Sequence, residues 1–99
     1  MLLSQRSLGH FDRALLPDPA SYYTRELGAL KGPGAWKTAL CPFHEDTSPS
    51  LSVKTASGGY CCHACGAKGG DVLAFHMARH GLSFKDACKA LGCWVEGAR

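Results

Sequence analysis

Apolar positions recur at helical spacing near the start of the chain. The first such segment has a mainly apolar face of four residues, Tyr22, Tyr23, Leu27 and Leu30. Asp18 followed by Pro19 is a typical helix start, and the Lys-Gly-Pro-Gly stretch at 31–34 breaks the pattern. The pattern therefore predicts a helix over residues 19–30.

Two more helices are predicted near the end of the chain. The first is capped by Asp71 and stops at Gly81, with apolar residues at Val72, Leu73, Phe75 and Met77. The second begins at Ser83, with Asp86 as a capping-box partner, and stops at Gly92. Its apolar stripe consists of Phe84, Ala87, Cys88 and Leu91. We interpret both helices as structural.

Short strands are predicted between these helices, at residues 35–40, 51–54 and 59–62. Turns at Ser48-Pro49 and Ser57-Gly58 separate them. Residues 1–17 have no clean period and end at Pro17, which indicates an N-terminal arm or a short extra helix. The pattern thus divides the chain into this arm and one domain over residues 18–99.

The size and composition of the chain narrow its function. Ninety-nine residues are too few for a complete polymerase, and the sequence lacks the run of about 20 apolar residues that spans a bilayer. The N-terminus does not resemble a secretory signal, so we expect a cytoplasmic protein with reduced thiols. Six cysteines and five histidines in such a chain favour a metal site over disulfides.

Two ligand pairs carry the strongest chemical pattern. Cys41-Pro42-Phe43-His44 and Cys62-His63-Ala64-Cys65 each place two residues between their candidate ligands, and 17 residues separate the pairs. Three thiolates and one imidazole form a tetrahedral zinc site that has no open position, so its metal is structural. The sequence predicts one structural zinc on Cys41, His44, Cys62 and Cys65.

Other cysteines and histidines are interpreted differently. Cys61 and His63 could compete for metal, but pairing Cys61 with Cys65 would lengthen the spacing to three residues. Cys88 and Cys93 are expected in the core. His76 and His80 lie one helical turn apart without a carboxylate at a matching position, so we interpret them as solvated helix residues.

The ordered motifs resemble the zinc-binding domain of DnaG-type bacterial and phage primases. The similarity runs through five successive blocks of the sequence. They are Cys-Pro-Phe-His at 41–44, Ser-Pro-Ser-Leu-Ser-Val at 48–53, Tyr-Cys-Cys-His-Ala-Cys-Gly at 60–66, Gly-Gly-Asp-Val at 69–72 and Gly-Leu-Ser-Phe-Lys-Asp-Ala at 81–87. An ordered series is more specific than a lone Cys-x-x-Cys pair.

This resemblance implies a small α+β zinc ribbon, with a short antiparallel sheet and flanking helices. It also implies that the domain contacts single-stranded template DNA, helps choose the initiation site and acts with a polymerase domain that makes the RNA primer, or with a helicase. The resemblance further implies that the chain is encoded by a bacterium, a phage or a plasmid. The domain itself is expected to be non-catalytic.

Charge and aromatic residues indicate a surface for that DNA. The net charge is +3 and becomes about +2 once three thiolates bind zinc. Residues 31–70 contain four lysines against two acidic residues. The candidate DNA contacts are Lys31, Trp36, Lys37, Lys54, Tyr60 and Lys68. His63 is a further stacking candidate, whereas for Phe43 and Tyr60 a core position is favoured.

A second class of function stays open. The ribbon and its helices could serve as a protein-interaction adaptor in a replication or mobile-element complex, without touching DNA. DNA binding should weaken steeply as salt rises, whereas docking on apolar surface should not. A hydrolytic zinc enzyme is disfavoured because four protein ligands leave no open position on the metal.

Overall fold

The computed structural model describes residues 9–45 and 47–96. Three helices occur in these ranges, α1 (Pro19–Leu27), α2 (Val72–His80) and α3 (Phe84–Leu91), and Arg13–Leu15 form a 3-10 turn. The strands are β1 (His10–Phe11), β2 (Trp36–Ala39), β3 (Leu51–Lys54), β4 (Tyr60–Cys62), β5 (Lys68–Gly69) and β6 (Trp94–Val95). The predicted small α+β class with a short antiparallel sheet is confirmed.

The main sheet has the strand order β2-β3-β4-β5, and every neighbouring pair is antiparallel. Alternation along β3 separates its two faces, since Leu51 and Val53 are fully buried while Ser52 and Lys54 are partly exposed. One face therefore packs on the helices. The other, which we call the open face, carries polar side chains.

Aromatic rings fill the core between the sheet and the helices. Phe75 of α2 is fully buried and makes edge-to-face contacts with Tyr22, Tyr23, Phe43 and Tyr60. The Tyr23 hydroxyl also donates a 2.6 Å hydrogen bond to the carbonyl of Gly58. The core interpretation of Phe43 and Tyr60 is thus confirmed, and the rings fix α1 and α2 against the sheet.

The predicted helices form, with one shorter than expected. Asp18, Asp71 and Ser83 each accept a hydrogen bond from a first-turn amide, as their cap roles require. α1 ends at Leu27 rather than at residue 30, because Gly28 follows with a φ of 85°. A positive φ suits glycine and does not continue a right-handed helix.

A second, smaller sheet joins the two ends of the described chain. β1 pairs antiparallel with β6, and Asp12 donates a backbone hydrogen bond to Cys93. Cys88 and Cys93 are fully buried beneath it, so their predicted core position is confirmed. The sequence pattern did not predict β1, β5 or β6, because a strand of two residues is too short to show alternation.

The predicted N-terminal arm falls partly outside the described residues, which begin at residue 9. Within residues 9–17 the chain forms β1 and the 3-10 turn at Arg13–Leu15. Arg13 also forms a 3.1 Å ion pair with Asp71 at the start of α2. The boundary between residues 17 and 18 stays a prediction. Among the helices of the described ranges, none combines the length and the apolar character that crossing a membrane requires.

Candidate metal centre and open sheet face

The four residues predicted to bind zinc come together at one end of the main sheet. Cys41 and His44 lie in the loop after β2, Cys62 ends β4, and Cys65 lies in the turn before β5. One donor atom from each of the four lies within 4.8 Å of all the others. The two Cys-x-x-ligand turns therefore converge as their spacing predicts.

The separations of the donor atoms fit a tetrahedral ion. The Sγ atoms of Cys41 and Cys65 are 3.8 Å apart, and Cys62 Sγ is 3.4 Å from His44 Nε2. Zn–S bonds of about 2.3 Å and Zn–N bonds of about 2.0 Å at tetrahedral angles give separations of about 3.8 and 3.5 Å. The cluster thus has the chemistry and the size for one zinc ion.

Hydrogen bonds orient the donor atoms toward the cluster. His44 Nδ1 donates to the carbonyl of Glu45 at 2.8 Å, which leaves Nε2 facing the sulfurs. Burial opposes ionisation of Cys62, but hydrogen bonds from the Ser50 hydroxyl and from backbone amides outweigh it and lower the pKa of this thiol to about 5. A thiolate is the form that binds zinc.

Cys61 and His63 lie apart from the cluster. Cys61 alternates with Cys62 along β4, so its side chain belongs to the open face rather than to the metal end of the core. His63 accepts or donates a 3.2 Å hydrogen bond with the Ser52 hydroxyl on the same face. The structure therefore agrees with the prediction that Cys61 and His63 are not zinc ligands.

The open face carries a row of directly opposed residues that crosses the whole sheet. Lys31 pairs with Thr38 through an isolated bridge, and the row continues from Thr38 to Ser52, Cys61 and Lys68. Opposed residues on antiparallel strands share a face. Small side chains thus lie in the middle of the row, with an exposed lysine at each edge.

A shallow depression lies beside this row. It is lined by Trp36, Ser52, Cys61 and His63 and has a volume of about 380 Å³. Trp36 is 48% exposed and lies directly opposite Lys54. Pockets of about 300–1,000 Å³ hold small organic ligands. The depression thus offers an aromatic wall and polar groups to a planar group.

Four of the six predicted DNA contacts share the open face, namely Lys31, Trp36, Lys54 and Lys68. Lys37 does not, because it lies opposite the buried Val53 and its ammonium donates to the carbonyl of Gly32. Tyr60 is 4% exposed and stacks on Phe43 in the core, so its ring is closed to a nucleobase. The structure therefore places neither residue on the open face, because side chains alternate between the two faces of a strand.

Thr38, Ser52 and Cys61 also belong to this surface, and their place in it was not predicted from the sequence. A signal was present for β3, where apolar Leu51 and Val53 alternate with polar Ser52 and Lys54. The cross-strand register that aligns Ser52 with Thr38 and Cys61 depends on loop lengths and appears only in the fold.

Comparison with known proteins gives a consistent family match. The protein family of the CHC2 zinc finger, which is the zinc ribbon of DnaG, matches this chain over residues 25–96. Over 62 residues, or 63% of the chain, the sequence is 45% identical to a DNA primase of Helicobacter pylori and 44% identical to one of Neisseria meningitidis. These segments cover 11% and 10% of the two relatives. The chain thus spans about a tenth of the length of these curated relatives.

A solved structure extends the match to the fold. The crystal structure of the Aquifex aeolicus primase, comprising its zinc binding and RNA polymerase domains, superposes with a TM-score of 0.64 at 25% sequence identity. The superposition covers 84% of this chain and 20% of that one. The shared part therefore includes most of the described chain and a fifth of the solved protein.

Proposed function

We propose that this chain, which belongs to the CHC2 zinc-finger family of DnaG-type primases, binds single-stranded template DNA and helps to initiate RNA primers. It is a primase zinc-binding domain with one structural zinc. The ligand roles are assigned to Cys41, His44, Cys62 and Cys65. The metal would fix the end of the sheet whose open face receives the DNA. We propose that the domain acts in bacterial, phage or plasmid DNA replication, in the cytoplasm.

The lysine-edged row on the open face is the observation that carries this proposal. Lys31 and Lys68 are separated by three intervening residues of the row, which at 4.7–4.9 Å per strand corresponds to about 19 Å. That length accommodates several phosphates of one strand. Because Thr38, Ser52 and Cys61 are small, a nucleic acid strand can approach the sheet closely between the two ammonium groups.

Trp36 supplies a place for an unpaired base. Its half-exposed ring forms one wall of the depression, and Lys54 Nζ lies 6.0 Å from the ring centroid. A base stacked on an exposed aromatic side chain contributes about 1–3 kcal/mol, and an adjacent lysine can reach the phosphate. In a duplex the base faces are covered by their neighbours, so this contact favours single strands.

Direct binding measurements test the proposal. At low ionic strength, the zinc-loaded protein should bind a single-stranded oligonucleotide more tightly than a duplex of equal length. Lys68→Ala should weaken binding and reduce its salt dependence, whereas Lys37→Ala, on the opposite face, is the matched control and should leave both nearly unchanged. Equal affinity for the two DNA forms, or equal effects of the two lysine variants, would contradict the proposal.

A polymerase domain is the proposed protein partner. The Aquifex aeolicus structure holds zinc binding and RNA polymerase domains together, and this chain matches a fifth of it. We assign primer synthesis to such a domain, in the same polypeptide or in a separate one, with a helicase as a second candidate partner. Adding the polymerase domain should convert DNA binding into primer synthesis, while the zinc-binding domain alone should make none.

The adaptor function is the alternative to DNA binding. Leu15 of the 3-10 turn and Phe84 of α3 are large apolar side chains that are 48% and 45% exposed. If these residues dock a replication protein and DNA is not contacted, partner binding should persist at high salt and DNA binding should be absent at low salt. The salt titration therefore separates the two functions.

A further inference from the structure

Glu26 of α1 and two histidines of α2 form a second group of metal-binding side chains, apart from the cysteine cluster. One ligand atom from each of Glu26, His76 and His80 lies within 4.8 Å of the other two. We propose that these residues bind one divalent transition-metal ion, such as Zn²⁺ or Ni²⁺, in an exchangeable site that links α1 to α2. This inference does not depend on DNA binding.

The fold brings the three residues together. His76 and His80 are four residues apart on α2, so both project from one side of the helix, and their ring centroids are 4.5 Å apart. Contacts of Tyr22 with Phe75 hold α1 alongside, and Glu26 Oε1 lies 3.0 Å from His80 Nε2. The expectation that no carboxylate matches these histidines is wrong, because the partner comes from 54 residues earlier.

The spacing of the group is close to what an ion requires. Bonds of about 2.0–2.2 Å from zinc to nitrogen and oxygen place neighbouring donors about 3.0–3.5 Å apart. Glu26 and His80 already have this separation. A rotation of the His76 side chain is the movement required, since its ligand atom already lies within 4.8 Å of the other two. The second group therefore needs a small contraction to hold a metal.

A hydrogen bond with Tyr22 orients the imidazole of His76 for metal binding. The Tyr22 hydroxyl is 2.7 Å from His76 Nδ1, and a metal-bound imidazole commonly donates its other N–H to such an oxygen. In the metal-bound form Nδ1–H donates to Tyr22, and Nε2 faces the ion.

The donor set selects the class of metal. Two imidazoles and one carboxylate suit zinc, nickel, copper or cobalt and do not suit calcium or magnesium, which prefer oxygen. Three protein ligands leave at least one position open to water or another ligand. We expect this site to bind its metal more weakly than the four-ligand cluster does. His80 is exposed, and the positive charge of Arg25 acts at His76.

Metal counting on the full chain tests the inference. Protein already loaded with one zinc is dialysed against Zn²⁺ over rising free concentrations. The wild type should take up a second equivalent, and Glu26→Gln and His80→Ala should each weaken that uptake at least tenfold while keeping the first zinc. His10→Ala is the control, since His10 is an exposed histidine of β1 that belongs to neither group of candidate ligands, and it should retain both equivalents.

A thermal melt separates a metal site from a plain ion pair. Added Zn²⁺ should raise the melting temperature of the one-zinc wild type and of His10→Ala but not that of Glu26→Gln, in which the new side chain is nearly isosteric with the old. If Glu26 only pairs with His80, the wild type and Glu26→Gln will respond equally to zinc. Equal responses, uptake of one equivalent only, or loss of the second equivalent in His10→Ala would each overturn the inference.

Discussion

Trp36 and Lys54 lie directly opposite each other on β2 and β3, with the ammonium of Lys54 6.0 Å from the centre of the indole ring. The pair combines a stacking surface and a positive charge on the open face. Such a pair can hold one nucleotide by its base and its phosphate at once. The two side chains therefore make separable contributions to DNA binding.

Replacing each member of the pair should produce a different salt signature. Trp36→Ala should reduce affinity by about 1–3 kcal/mol with the salt dependence almost unchanged, because stacking releases no counterions. Lys54→Ala should instead lower the slope of log K against log salt by about one unit or less. Titrations at three or more salt concentrations measure both, and identical signatures would contradict the division of roles.

Removal of zinc should unfold the domain. The sheet is small, and a structural zinc contributes an apparent binding free energy on the order of 10 kcal/mol. A strong chelator should therefore collapse the dispersion of the amide spectrum, and added zinc should restore it. A dispersed, unchanged spectrum after proven loss of the metal would show that the site is not structural.

Cysteine variants should distinguish Cys62 from its neighbour. Cys62→Ser removes a sulfur 3.4 Å from His44 Nε2 and should greatly weaken zinc binding. Cys61→Ser changes the open face and should leave the first zinc in place. The zinc content of each variant is measured after gel filtration. Loss of zinc in Cys61→Ser with retention in Cys62→Ser would mean that the wrong cysteine was assigned.

Gly69 should tolerate a methyl group poorly. A Cβ atom there would lie 2.6 Å from a ring carbon of Tyr60 and 2.9 Å from the Cβ of Ala74. Because both neighbours are packed, Gly69→Ala should destabilise the fold by about 1–3 kcal/mol. Gly70→Ala is the matched control, since a Cβ there has no neighbour within 4 Å. Denaturant unfolding of the two variants measures the difference, which would vanish if β5 could shift away.

The metal cluster was predictable because its information is local. A Cys-x-x-His and a Cys-x-x-Cys turn each fix two ligands over four residues, and the structure brings the turns together. The helix N-caps at Asp18, Asp71 and Ser83 were predictable from the sequence for the same reason. Local patterns thus predicted the three helices, the strands β2, β3 and β4 and the candidate zinc site.

Long-range relationships were not readable from the sequence. Glu26 meets His80 across 54 residues, and β1 meets β6 at opposite ends of the described chain. The sequence grouped Lys37 with Trp36, although adjacent residues of a strand have their side chains on opposite faces. Alternation with Ala39 could have shown this, whereas the row from Lys31 to Lys68 required the register of the sheet.

The most direct test of the central claim is a titration of the ¹⁵N-labelled, zinc-loaded protein with a short single-stranded oligonucleotide, followed by amide chemical shifts. The proposed function predicts that the largest shifts lie on the open face, at Lys31, Trp36, Thr38, Ser52, Cys61 and Lys68, and that they diminish as salt is added. Residues of α3 should change little. Shifts confined to α3 and the β1–β6 sheet, or no shifts at low ionic strength, would contradict DNA binding by this face.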